Sequence, residues 1–92
     1  MAHKAERWDW IENWLRKNFC ADCLNQKFHE DFHQRFPEYK RRETYWGSQP
    51  CAQAMRDLAE MERCGVLQKG RTSLSGNWQP GFPKSVTTYT FP

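Results

Sequence analysis

Between positions 49 and 64 the apolar residues return with the period of an α-helix. On a wheel turning about 100° per residue, Cys51, Ala54, Met55, Leu58 and Met61 fall on one side, and Gln49, Gln53, Arg56, Glu60 and Arg63 on the other. Ser48 supplies an N-cap, Pro50 sits in the first turn, where a missing N–H is tolerated, and Gly65 follows the last periodic residue. The pattern predicts a helix over 49–64 with one core face and one free face. Beyond it, the stretch 66–74 and the β-branched, aromatic stretch 85–91 read as two strands. They are joined by a segment rich in Gly and Pro that nonetheless carries Trp78 and Phe82. Two large rings in a turn-rich tip predict an ordered extension that either braces the hairpin or meets a partner.

Two earlier segments share the helical period. Over 6–19, Trp8, Ile11, Leu15 and Phe19 line one face, and Trp10 and Trp14 widen it. The tryptophans belong to the core or its edge, with an aromatic patch for a partner as the alternative. Asp22 is placed to cap a second helix over 23–36, which Pro37 ends, and Leu24, Phe28, Phe32 and Phe36 recur at every fourth position. Between Pro37 and Gly47 lies a polar connection holding Lys40, Arg41 and Arg42, the densest basic cluster of the chain.

Length limits this to one domain, 1–92, since 92 residues supply one small core and not two. The fold class expected is α+β, mostly helical: three helices followed by a β-hairpin over 66–91. A net charge of +3 is too mild to name a partner, so the placement of the charge has to carry that weight. No apolar run reaches the roughly 18 residues of a membrane span and the first residues lack an apolar signal core, which predicts a cytoplasmic protein with no membrane partner. The four cysteines are then expected as thiols.

Double-stranded DNA is the partner that this pattern fits best. Gln pairs with adenine and Arg with guanine in the major groove, and Gln49, Gln53 and Arg56 share one face of the third helix near its N-terminus. Lys40, Arg41, Arg42, Ser48, Lys69, Arg71 and Lys84 are the candidates for phosphate contact. Asp57 and Glu60 beside Arg56 weaken the positive field, and a solvated polar face is the plainer explanation of each charge.

These residues carry a resemblance. The segment 48–74 with the closing strand 86–91 resembles the winged helix-turn-helix family, and the stretch 77–84 is similar to small proteins of phage and prophage origin. The resemblance covers about half the chain and rests on pattern, without a diagnostic motif. It implies a transcriptional regulator or mobile-element accessory factor whose third helix reads the major groove through Gln49, Gln53 and Arg56, with Lys69, Arg71 and Lys84 as wing contacts. The connection over 37–47 is longer than the three or four residues of a simple helix-turn-helix. A homodimer or a protein partner is expected as well, because one small domain buries little surface on DNA. The alternative function is a winged-helix protein-interaction module working through Trp10, Trp14, Trp78 and Phe82.

Metal and catalytic chemistry are weakly supported. Cys20 and Cys23 followed by His29 and His33 make a zinc-type donor set, but five residues separate the pairs where the common finger has about twelve. With a helix starting at Asp22, Cys23 and His29 stand ~9 Å apart along its axis on different faces. No cofactor is expected, and no nucleophile, base and orienting group fall into a recognisable order, so an enzyme is not expected.

Overall fold

The computed structural model describes residues 3–42, 49–73 and 85–92. It is an α+β fold: α1 (Lys4–Asn18), α2 (Gln26–Arg35) and α3 (Ala52–Arg63), followed by β1 (Gln68–Ser73) and β2 (Ser85–Thr90), which pair antiparallel. The register runs from Gln68 opposite Thr90 to Ser73 opposite Ser85. Ser48, Trp78, Phe82 and Lys84 lie outside the described residues.

The core is aromatic. Phe28, Phe32 and Phe36, spaced one helical turn apart, are all buried, together with Ile11, Leu15, Ala54, Leu58 and Met61 from the facing helices. Trp14 meets Phe28 edge-on at 5.0 Å between ring centroids, and Trp10 meets Phe32 edge-on at 5.5 Å, the arrangement that ring quadrupoles favour. Trp14 is buried and its indole N–H donates to Asp31 Oδ2 at 2.9 Å, while Trp10 is half-buried over the three phenylalanines. Both tryptophans therefore serve the core or its edge.

Each helix starts or stops at a different residue from the one that local signals indicate. The first helix ends at Asn18, and Phe19 is 78% exposed, off the core stripe. Its φ of 74° and the Cys20 N–H bond to the Asn18 carbonyl form a tight γ-type turn, a conformation that is strained for a bulky residue. Arg7, one turn before Ile11, is buried on the stripe where the sequence assigns Trp8, which is half-buried.

The second helix starts at Gln26 and not at 23. Its cap is Asn25, whose side chain accepts from the Phe28 N–H at 3.1 Å. Asp22 instead accepts from the Leu24 N–H two residues on, shaping the turn before the helix. An Asn25→Ala variant is expected to lose about 1 kcal/mol, measured by urea denaturation, whereas an Asp22 cap would have put that cost at position 22.

The third helix starts at Ala52, three residues later than 49. Cys51 is its cap residue, without a side-chain cap bond, and Pro50 precedes the helix. The reason is pairing at a distance: Cys51 bridges antiparallel to Arg41, and the Arg42 N–H donates to the Pro50 carbonyl at 2.8 Å. These bonds hold the entry to α3 extended. At the other end the prediction holds, since Gly65 adopts φ +82°, which a side chain would resist.

One further bridge ties the sheet to the helices. Ala21, between α1 and α2, exchanges both backbone bonds with Tyr89 of β2, at 3.1 and 2.9 Å. Strand β2 thus lies between β1 and the α1–α2 connection, and its Val86 and Tyr89 are buried while all six residues of β1 are exposed. None of the helices is long and apolar enough to cross a membrane, among the described residues.

Candidate functional site

The outward side of α3 is split into two edges, a division that the helical wheel alone does not reveal. The edge at Gln53, Asp57 and Glu60 turns toward α1. Arg7 donates from Nε to Asp57 Oδ2 at 2.7 Å and from Nη2 to Oδ1 at 3.2 Å, and Lys4 pairs with Glu60. Asp57 is buried, and its carboxylate holds the Arg7 guanidinium above its ordinary pKa range, with burial opposing. The other edge carries Ala52, Arg56 and Arg63, all exposed, with Ala59 half-buried between them. This second edge is open to solvent.

Of the candidate base readers, the structure places only Arg56 in the open. Gln53 is half-buried and used on both ends: its Nε2 donates to Asp57 Oδ1 at 3.0 Å, and its Oε1 accepts from Arg56 Nη2 at 3.1 Å. Gln49 precedes the helix, is half-buried, and its carbonyl accepts from Arg41 Nε at 2.7 Å. Among the candidate phosphate contacts, Arg41 is engaged again through Nη2, which donates to Gln26 Oε1 at 2.6 Å. That makes Arg41 a brace for the entry to α3. Lys40, Arg42, Lys69 and Arg71 are exposed.

Two clefts gather most of these open groups. One, of about 250 Å3, is lined by Cys23, Arg42, Pro50, Ala52, Met55 and Arg56, so the connector and the free edge of α3 share a single depression. The other, of about 380 Å3, lies on the sheet and is lined by Lys69, Gly70, Arg71, Thr87 and Tyr89. Cross-strand pairing explains it: Lys69 faces Tyr89 and Arg71 faces Thr87, which places these four side chains on one face. Arg71 Nη1 donates to Thr87 Oγ1 at 3.3 Å, and Lys69 lies 3.8 Å from Glu62 in a largely exposed ion pair that salt would screen. The Tyr89 hydroxyl feels the charges of Glu62 and Arg63 at the end of α3, which act on it in opposite directions. Burial, the largest of its influences, pushes that hydroxyl above its ordinary pKa.

Arg63 and Cys23 are thus the neighbours that sequence reasoning left off the site. Arg63 is visible on the outward face of the helix; Cys23 is not, because the pairing of Ala21 with Tyr89 that carries the α1–α2 connection to the sheet is a long-range contact. Burial, more than neighbouring Asp22, raises the Cys23 thiol above its ordinary range.

The cysteine and histidine set does not converge. His29 is fully buried with both ring nitrogens used: Nε2 bonds the Asp22 carbonyl at 2.9 Å and Nδ1 accepts from the Cys51 N–H at 3.0 Å. His33 Nδ1 is bonded to the Tyr39 carbonyl at 2.7 Å. No group of three or more His, Cys, Asp or Glu side chains is placed to hold a metal among the described residues, and all four cysteines are free thiols.

A third cleft, of about 430 Å3, is lined by Trp10, Trp14, Asp31, Gln34 and Arg35 between α1 and α2. Its aromatic floor is the outer surface of the core already described. No known protein family, curated protein or solved structure matches this chain.

Proposed function

We propose that the protein binds double-stranded DNA as a small winged helix, with the Ala52, Arg56 and Arg63 edge of α3 entering the major groove and the β1–β2 hairpin lying on the phosphate backbone. The observation that carries this reading is the gathering of Arg42 and Arg56 around one cleft and of Lys69 and Arg71 around another. Two cations at each cleft concentrate positive potential there, even at a net charge of +3. The sheet supports the same reading: the hairpin follows α3 directly, and the Ala21 bridge fixes it to the helices. Small side chains at Ala52 and Ala59 let the helix backbone approach base edges, and Ala also accommodates a thymine methyl. Such a protein would act as a transcriptional regulator or as an accessory factor of a mobile element, alone or as a dimer.

For the alternative role as a protein-interaction module, Trp78 and Phe82 lie outside the described residues, and the other two rings belong to the core or its edge. Trp14 is buried, Trp10 is half-buried over the core, and among the described residues Phe19 is the exposed large ring.

Fluorescence anisotropy with a labelled duplex, taken across a salt series, tests the DNA reading. The logarithm of the binding constant is expected to fall linearly with the logarithm of salt concentration. Each of Arg42→Ala, Lys69→Ala and Arg71→Ala should reduce the slope by about 0.9. No binding at low salt, or a slope indifferent to all three substitutions, would sink the proposal.

A further inference from the structure

A chain of hydrogen bonds runs from the interior of the domain to the most exposed candidate reader. Asp57 is almost wholly buried and accepts two bonds from Arg7, which in turn donates from Nη1 to the Tyr39 hydroxyl at 3.0 Å. Both oxygens of the carboxylate are thus acceptors, Oδ2 from Arg7 Nε and Oδ1 from Arg7 Nη2. The Gln53 amide that meets Asp57 Oδ1 must therefore offer its NH2 group, which decides the orientation of the amide. Its oxygen then faces outward and can only accept, and Arg56 supplies the donor through Nη2.

Two consequences follow for readout in the major groove. A glutamine recognises adenine by offering both its amide oxygen and its NH2 group to one base, and here the NH2 group is committed inward. An arginine recognises guanine with two donors of a planar fork, and the bond to Gln53 occupies one of the five N–H groups of Arg56 while restricting the swing of the side chain. From this geometry we infer that α3 selects guanine through Arg56, and that Gln53 is a positioning residue which holds Arg56 and does not read adenine. The inference rests on the DNA-binding role proposed above and gives that role a target chemistry: duplex sites with guanine at a fixed position. Arg7 and Asp57 set the positioning residue from behind, so the interior ion pair and the base-reading group belong to one connected set.

The test is selection from a duplex library randomised over its central positions, with the bound fraction sequenced for the wild type and for variants. The wild type is expected to enrich guanine at one fixed position, and Arg56→Ala to abolish that enrichment. Gln53→Met keeps the length but cannot make either bond, and Gln53→Asn keeps the amide but is too short to span from Asp57 to Arg56. Both should cut guanine enrichment several-fold while leaving the salt slope on an unselected duplex unchanged, a split that a purely structural role would not produce. In the Arg56→Ala background neither should have any further effect. In the free protein, NMR relaxation of the Arg56 Nε–H should show greater mobility in Gln53→Met than in the wild type. Adenine enrichment that disappears in Gln53→Met would overturn the inference by making Gln53 a reader. Unchanged guanine enrichment, or equal Arg56 mobility with and without Gln53, would overturn the positioning role while DNA binding stands. A wild type that binds no duplex at all would overturn the guanine selection together with the proposed function.

Discussion

Arg7→Ala is expected to cost about 3–5 kcal/mol of folding stability, a large part of the roughly 5–15 kcal/mol that holds a domain together. The substitution leaves the Asp57 carboxylate, with 1% of its side chain exposed, facing the space that the guanidinium filled. Gln53 remains as a donor to Asp57, but one neutral amide does not replace two charge-assisted bonds. Asp57→Ala should be costly too, though less so. Arg7 keeps 11% of its side chain at the surface and retains its bond to the Tyr39 hydroxyl, which lets the orphaned cation find water. Removing both charges with apolar groups of similar volume, as in Arg7→Met with Asp57→Leu, should recover most of the loss, because the pair is expensive to break and not expensive to lack. Urea denaturation followed by tryptophan fluorescence reads all four proteins. A single Arg7→Ala variant within about 1 kcal/mol of the wild type would show that water reaches this pair freely.

The second large effect concerns His29 and pH. Folded His29 must be neutral at Nδ1, since that nitrogen accepts the Cys51 N–H at the entry to α3. Burial lowers its pKa, the Asp22 carbonyl partly opposes this, and the charge of Arg41 lowers it further. The unfolded chain therefore takes up the proton first, near the ordinary value of 6.5. The sign follows: stability from this group is complete above pH 6.5 and is lost as pH falls below it, until the depressed folded value is reached. Within that window the slope is at most about 1.4 kcal/mol per pH unit. A His29→Leu variant is expected to lose about 1–3 kcal/mol at pH 8, where the Asp22 carbonyl and the Cys51 N–H lose their partner. It should also be less sensitive to pH below 6.5 than the wild type. Denaturation midpoints across the pH range check both; a variant that keeps the wild-type slope would assign the acid sensitivity to other groups.

Both effects act on the element that carries the candidate site. Arg7 and Asp57 fix the rotation of α3 against α1, and His29 with Arg41 fixes where α3 begins. A loss of either should therefore blunt the presentation of Arg56 and Arg63 as well as lower stability.

Much of this arrangement is legible in the chain. The returns of Phe28, Phe32 and Phe36, and of Ala54, Leu58 and Met61, are local patterns, and they place α2 and α3 and their buried faces. The two strands and Gly65 are equally local. The helix starts are not, because caps at Asn25 and Cys51 prevail only once Asp22 is drawn into its own turn and Arg41 pairs with Cys51. Phe19 fits the apolar period and still faces solvent, since the chain turns sharply to bring Ala21 to Tyr89.

For the candidate site the division is sharper. By itself the sequence determined which residue types lie on the outward half of α3 and that the connector and the strands are basic, because period and charge are properties of the chain alone. Only the tertiary structure decided which of those residues remain available. Asp57 reads as a surface charge until Arg7 of α1 is brought against it, and Gln53 reads as a base reader until Asp57 claims its amide. The physical reason is the same in both cases: a polar group has only a few bonding positions, and what fills them is a neighbour from a distant part of the chain that no local pattern encodes.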